Sequence, residues 1–295
     1  MDIQIRLLND YEYSNSRLLW DVCFPYDGTG FINWYYSFRS CPEYVLGAFY
    51  GDTIVAMLHM IPMDIMFKEC VQTVCFISGV CTHPNYRNMG ICSMLFRNAI
   101  PIMRQRGFNT SMLQPFDTLF YEKYGYHTFI QRNRVRLSGG IIKLHNCVNA
   151  IQPSPKLLLK QYSDFMSGYY SYSVRDENYF EGMIEEYGTP DGRLICNAYG
   201  YCAGYMNDGV FDATELVMPM QKGVKVDICQ IACLLPKDCE LALFPLPCDV
   251  LPPDECKSNT EDFSMISLLD VENTHIYHTA ASKADNNISY GFDRY

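Results

Sequence analysis

The chain has 295 residues, enough for one large domain or two ordinary ones, and its 48% hydrophobic content can fill real cores. With 23 basic and 33 acidic residues the formal net charge is −10, which argues against a nucleic-acid surface and makes cationic small molecules easier partners than phosphates. No run approaches the roughly 18 uninterrupted apolar residues of a membrane span, and the opening residues lack the basic-then-apolar layout of a secretion signal, so no membrane association and a cytoplasmic location are expected.

Alternation over residues 3–8 predicts an opening strand. Residues 15–24 and 31–38 predict two short helices divided by the turn Pro25-Tyr26-Asp27-Gly28. Strands are expected over residues 44–50 and 53–63, around the turn pair Gly51-Asp52, and over residues 72–82. Ile91, Met94, Leu95, Ala99, Ile102 and Met103 then recur at the spacing of one buried helical face that stops at Gly107, with Pro101 expected to kink it. A strand at 110–114, a short helix at 118–124 and strands at 127–130 and 132–137 complete this half; Arg132, Arg134 and Arg136 alternate there as the solvated face of a strand would.

Ser138-Gly139-Gly140 and residues 152–155 bracket a boundary, after which the same order begins again. Helices are expected at 156–166 and 177–187, strands at 194–199, 201–205, 209–216 and 224–235, a Pro-rich loop at 245–253 and a polar tail at 285–295. The fourteen cysteines sit mostly inside apolar runs, as Cys70, Cys75, Cys81 and Cys92 do, and read as reduced thiols. Cys229 and Cys233 are not a CxxC pair and have no His pair behind them, so no metal site is expected.

The chemistry concentrates between residues 80 and 95, where a buried strand runs through a short loop straight into the amphipathic helix. The first N–H groups of such a helix have no internal partner and point, with the positive end of its dipole, at one place suited to a pyrophosphate. Gly90 at that point leaves room for phosphate oxygens to approach the backbone. Arg87-Asn88-Met89-Gly90-Ile91-Cys92 resembles the Gln/Arg-x-x-Gly-x-Gly/Ala signature of the GNAT acyltransferase superfamily, with Cys92 in place of the final Gly or Ala. Phe120-Tyr121-Glu122-Lys123-Tyr124-Gly125-Tyr126 is similar to that superfamily's F-Y-x-x-x-G-F/Y element. More narrowly, the chain resembles a shortened member of the enhanced intracellular survival branch, on the lead-in Gly79 to Pro84, the Tyr121 element and a stretch of the second unit from Gly204 to Leu216.

The resemblance implies an α/β protein of the α+β type: a mixed, mostly antiparallel GNAT sheet flanked by helices over residues 1–140, a second, smaller, degenerate GNAT-like domain over 150–284, and a tail over 285–295. Met265 to Val271 is similar to the opening of that branch's third domain. The implied activity is N-acetyl transfer from acetyl-CoA, as co-substrate, to a small-molecule or peptide amine by direct attack, polyamine-like and aminoglycoside-like acceptors among them; a non-catalytic acyl-CoA sensor is the alternative.

The implied cofactor-binding residues are Val80, Cys81, Thr82, Arg87, Asn88, Met89, Gly90, Ile91, Cys92 and Ser93. Tyr121 is the implied general acid, and the C-terminal carboxylate of Tyr295 the implied base, with His59 and His83 as rivals. Asp21, Phe24, Asp27 and Trp34, on the two N-terminal helices, are candidates for a wall that receives a cationic amine. The second unit is read either as a scaffold that closes the acceptor groove or as a homo-oligomer interface.

Overall fold

The computed structural model describes residues 2–67, 70–145 and 150–269. Strand β1 (Gln4–Leu7) leads into helix α1 (Asp10–Cys23), which a reciprocal cap starts: Asn9 Oδ1 accepts the Glu12 amide at 2.9 Å and Glu12 Oε2 accepts the Asn9 amide at 3.0 Å. That cap begins the helix earlier than the predicted residue 15. Helix α2 (Thr29–Trp34) continues into one π-helical turn over Tyr35–Arg39.

Strands β2 (Val45–Tyr50) and β3 (Thr53–Phe67) form an antiparallel hairpin around Gly51, whose φ of +58° suits a glycine. Strand β4 (Cys70–Thr82) pairs antiparallel with β3, and β5 (Thr110–Leu113) returns parallel to β4 after helix α3 (Ile91–Gln105). Helix α3 runs through Pro101 as a single element and buries Ile91, Leu95, Phe96, Ala99 and Met103. These pack on Ala48, Leu58, Ile77 and Tyr121 in the largest core, as the helical spacing anticipates. Short helix α4 (Thr118–Glu122) precedes β6 (His127–Ser138), one strand where two were expected.

The remaining elements are α5 (Gly139–Leu144), α6 (Pro155–Met166), β7 (Ser171–Ser173), α7 (Glu177–Tyr187), β8 (Gly192–Cys196), β9 (Tyr201–Asn207), β10 (Val210–Val217), α8 (Ile228–Ala232), β11 (Leu241–Pro247) and β12 (Lys257–Leu268). One sheet joins both halves in the order β1-β2-β3-β4-β5-β12-β6-β11-β10-β9-β8, with β7 on β3. Among the described residues only β4–β5 and β10–β11 pair in parallel, so the sheet is mixed and mostly antiparallel, as expected. The two halves share an order: two helices, three antiparallel strands, a helix, then a strand parallel to the third.

Four expectations need correction. Residues 265–268 do not open a further domain but lie in β12, which inserts between β5 and β6 and completes the sheet of the first half. Residues 224–235 hold α8 rather than a strand: Asp227 accepts the Cys229 amide at 2.9 Å and caps a helix there. Pro245 and Pro247 belong to β11 rather than to a loop, and Arg132 and Arg134 are not a solvated face. Arg132 Nε meets Glu261 at 2.6 Å and Arg134 pairs with Asp212, both arginine side chains being largely buried.

Candidate active site

Strand β4 is interrupted where the chemistry was expected. Its register against β3 shifts between Met57–Cys81 and His59–Ser78, and the extra residues carry Gly79 at φ +55°. This β-bulge turns the strand out of the ladder. On the other side β4 pairs with β5 only as far as Ile77–Leu113, although β4 runs on to Thr82. The two parallel strands therefore splay, and Ser78 to Val80 face a gap instead of a neighbour.

A cavity of about 280 Å³ fills that gap, lined by Ile77, Ser78, Gly79 and Val80 of β4, by Gln114, Pro115, Phe116 and Tyr121 beyond β5, and by Trp20, Phe24, Asp27 and Phe31 of the N-terminal helices. Of the residues singled out from the sequence, it brings together Val80, Tyr121, Phe24 and Asp27. Asp21 is exposed on α1 outside the lining. Trp34 is buried in the core, packed on Gly182 of α7 so closely that a Cβ there would lie 2.4 Å from its Nε1. Tyr295 lies outside the described residues. Trp20 and Phe31 were missed because aromatic residues on amphipathic helices read as core from spacing alone, and Ser78 and Phe116 because the splay that brings them to the cavity has no local marker.

Tyr121 is held edge-on against Phe120 at 5.0 Å, Phe116 at 5.5 Å and Phe96 at 6.1 Å, and it is buried. Its hydroxyl has no protein hydrogen-bond partner among the described residues, and burial pushes its pKa well above the ordinary phenol value. The group is therefore a proton donor near neutrality. Asp27 Oδ2 accepts the Trp20 indole N–H at 2.9 Å, which fixes the carboxylate against the aromatic wall.

The loop after β4 leads to the second part of the site. Pro84–Tyr86 form a single 3₁₀ turn, Arg87 Nε donates to the Thr82 carbonyl at 3.1 Å, Asn88 and Gly90 take positive φ of 63° and 75°, and Gly90 is the N-cap of α3. A Cβ at Gly90 would meet nothing within 4 Å, so the space ahead of the helix is open. Arg87, Asn88, Met89 and Gly90 are exposed there, while Ile91 is buried and Cys92 and Ser93 are half-buried. Burial raises the Cys92 thiol, and Ser93 Oγ lies 2.9 Å from the Tyr124 hydroxyl, whose ring stacks on Phe96 at 4.1 Å. The first turn of α3 is thus tied to the segment that carries Tyr121. Cys81 is buried, and its proximity, with help from Arg87, lowers the Cys23 thiol to about 7.

The two histidines are placed differently. His83 accepts the Asn85 amide at 3.2 Å and lines a separate depression with Glu12 and Asp52. His59 is fully buried behind the bulge, its Nδ1 2.9 Å from the Tyr35 hydroxyl, which in turn lies 2.6 Å from Ser78 Oγ. Burial lowers its pKa to about 3, too low for an efficient base near neutrality. Among the described residues, no three His, Cys, Asp or Glu side chains are placed to hold a metal ion, and no helix is long and apolar enough to cross a membrane.

The second half contains a counterpart of the splay. Strand β10 bulges between Ala213 and Glu215 and pairs with β11 only over Val210–Asp212. A polar cavity of about 220 Å³ lies against Ala213 and Thr214 there, and Arg134 in its wall donates to the Ala213 carbonyl at 3.0 Å and pairs with Asp212.

A family profile described as the acetyltransferase (GNAT) domain matches residues 4–129. Among curated proteins none matches the sequence. Solved structures share the fold across both halves. A probable N-acyltransferase from Enterococcus faecalis V583 superposes with a TM-score of 0.68 at 12% identity, covering 93% of this chain and 74% of that one. A GCN5-related N-acetyltransferase from Kribbella flavida gives 0.65 at 18% identity, with 91% and 72% covered. Eis1 from Mycobacterium abscessus gives 0.62 at 14% identity, with 92% and 74% covered. Residues 4–129, which match the acetyltransferase (GNAT) domain, hold both the strand that bulges and splays beside its parallel neighbour and the glycine-capped helix into which it runs.

Proposed function

We propose that the protein transfers an acetyl group from acetyl-CoA to a primary amine held in the cavity between β4 and β5. The observation that carries this reading is that one cavity joins the bulged strand, the buried phenol of Tyr121 and the Asp27 carboxylate. The open N-terminus of α3 fits a diphosphate: its first amides lack helical partners, and Gly90 brings no side chain to that end. In this reading Arg87 to Ser93 bind the diphosphate, and β4 from Val80 to Thr82 pairs with the pantetheine arm as an added strand would.

Acetyl-CoA supplies the activated acyl carbon. A backbone N–H on β4 between Val80 and Thr82 holds the thioester oxygen as it becomes an oxyanion. The amine nitrogen bonds to the carbonyl carbon and the C–S bond breaks; Tyr121 gives its proton to the leaving thiolate and regains one as the acylated nitrogen sheds its second proton, through solvent. The Tyr295 carboxylate is the proposed base that takes the proton from the ammonium. Residues 150–284 are proposed as a degenerate GNAT-like domain.

The test is thiol release from acetyl-CoA by the full chain in the presence of a panel of primary amines. Amine-dependent release is expected. Tight acetyl-CoA binding without release for any amine would leave an acyl-CoA sensor in place of a catalyst.

A further inference from the structure

The polar cavity of about 220 Å³ at the second splay adjoins the cavity that holds Tyr121, and Gln114 lines both. Each cavity opens where two parallel strands part, β4 from β5 beyond Leu113 and β10 from β11 beyond Asp212, so the splays of the two halves meet at Gln114. The side chain of Gln114 is half-buried at this junction and makes no hydrogen bond with another described residue. The two chambers differ in character. The first is walled mostly by aromatic and aliphatic residues, among them Phe24, Ile77, Val80 and Phe116. The second is polar and balanced in charge: Arg132 Nε meets Glu261 at 2.6 Å, and Arg134 pairs with Asp212.

We infer that the acceptor is the free N-terminus of a peptide, its α-amine in the cavity beside Tyr121 and the peptide groups that follow it passing Gln114 into the polar cavity. This rests on the transferase reading and names its substrate class. A main chain is neutral, extended and rich in hydrogen-bonding groups, which suits a charge-balanced cavity set where a strand loses its neighbour. The Gln114 amide can donate to one peptide group and accept from it. The amine end fits as well. An apolar cavity favours the neutral, nucleophilic form, and an α-amine with an ordinary pKa of about 7.7 to 8.0 sheds its proton far more readily than a lysine at about 10.4. A polyamine or aminoglycoside, by contrast, brings further ammonium groups into a second cavity whose carboxylates already have arginine partners. Size agrees: the cavities of about 280 and 220 Å³ each exceed the roughly 150 Å³ that admits a benzene ring, so each has room for an amino-acid residue.

The experiment measures thiol release from acetyl-CoA by the full chain with tetra-alanine amide, alaninamide, Nα-acetyl-lysine amide and spermidine as acceptors, and titrates tetra-alanine amide calorimetrically into the CoA complex. The highest kcat/KM is expected for tetra-alanine amide, above alaninamide because only the longer acceptor enters the polar cavity. Gln114→Leu, which keeps the bulk and removes the amide, should raise the KM for tetra-alanine amide about three- to tenfold and shrink its advantage over alaninamide. Its kcat, its acetyl-CoA affinity and its thermal melting should stay unchanged, which a merely structural role would not allow. The ranking of acceptors is read on the unmodified chain and does not depend on the variant's folding. Equal or better use of alaninamide, Nα-acetyl-lysine amide or spermidine, or an unchanged peptide KM in folded Gln114→Leu, would overturn the assignment. If no acceptor releases thiol, but tetra-alanine amide binds the CoA complex and binds Gln114→Leu more weakly, the peptide site stands and the transferase reading falls. Absence of both release and binding overturns the peptide site itself.

Discussion

Replacing Tyr121 by phenylalanine is expected to slow acetyl transfer by about 10² to 10⁴ while leaving acetyl-CoA affinity essentially unchanged. The hydroxyl is the only atom removed, and among the described residues it holds nothing else in place, so the ring keeps its contacts with Phe96, Phe116 and Phe120. The loss should appear in kcat rather than in KM, because the proton is needed only as the C–S bond breaks. Burial raises the phenol above its usual value of about 10, so the acid is present throughout the neutral range and is lost only as pH rises through that raised value. The pH–rate profile of the wild type should therefore show no falling limb from this group between about pH 7 and pH 10. A folded Tyr121→Phe enzyme with undiminished kcat would remove Tyr121 from the mechanism.

Gly79→Ala is expected to cost about 10² to 10³ in kcat through displacement of the oxyanion-binding amide, with a drop of about 1 to 3 kcal/mol in stability from overpacking. Two independent penalties act at this position. Its φ of +55° is unfavourable for any side chain, and a Cβ would lie 2.7 Å from Trp20 Cζ3 and 2.9 Å from His59 Cδ2. Neither neighbour can yield easily: Trp20 is tied to Asp27, and His59 to Tyr35 and Ser40. The bulge itself must then move, and with it the amides of Val80 and Cys81. Steady-state kinetics and thermal melting read the two effects separately, and a folded variant with full kcat would show that the bulge does not position the oxyanion donor.

The first half of the fold was readable because each of its elements carries its own signal. Helix α3 shows one apolar stripe, the β2–β3 hairpin has a glycine at its tip, and the loop from Pro84 to Gly90 is short. The second half was harder because its strands depend on distant partners. Strand β12 opens with Lys257-Ser258-Asn259-Thr260-Glu261-Asp262, which no alternation marks as a strand; it forms because β6 lies opposite it with Arg132, Asn133 and Arg134 in register. In β11 the prolines mimic a loop. Pro245 and Pro247 are two residues apart, so their missing N–H groups fall on one edge, and beyond Leu243 β10 no longer pairs with that strand. Residues 224–228 alternate like a strand, but Asp227 caps the short helix that follows.

The site was legible to the same degree. Gly90 and Tyr121 stand in local motifs, and Phe24 and Asp27 flank a turn. Ser78, Gln114 and Phe116 reach the cavity only because β4 and β5 splay, a tertiary event without a local marker. Trp34 looked equally able to form the acceptor wall, and only the packing of α2 on Gly182 shows that its ring is committed to the core.

The central claim is that bare amides at the start of α3 grip the diphosphate of coenzyme A. Isothermal titration of coenzyme A into the folded full chain tests it most directly. A saturable heat at one site per chain is the expected result; a flat titration of correctly folded protein would contradict the claim.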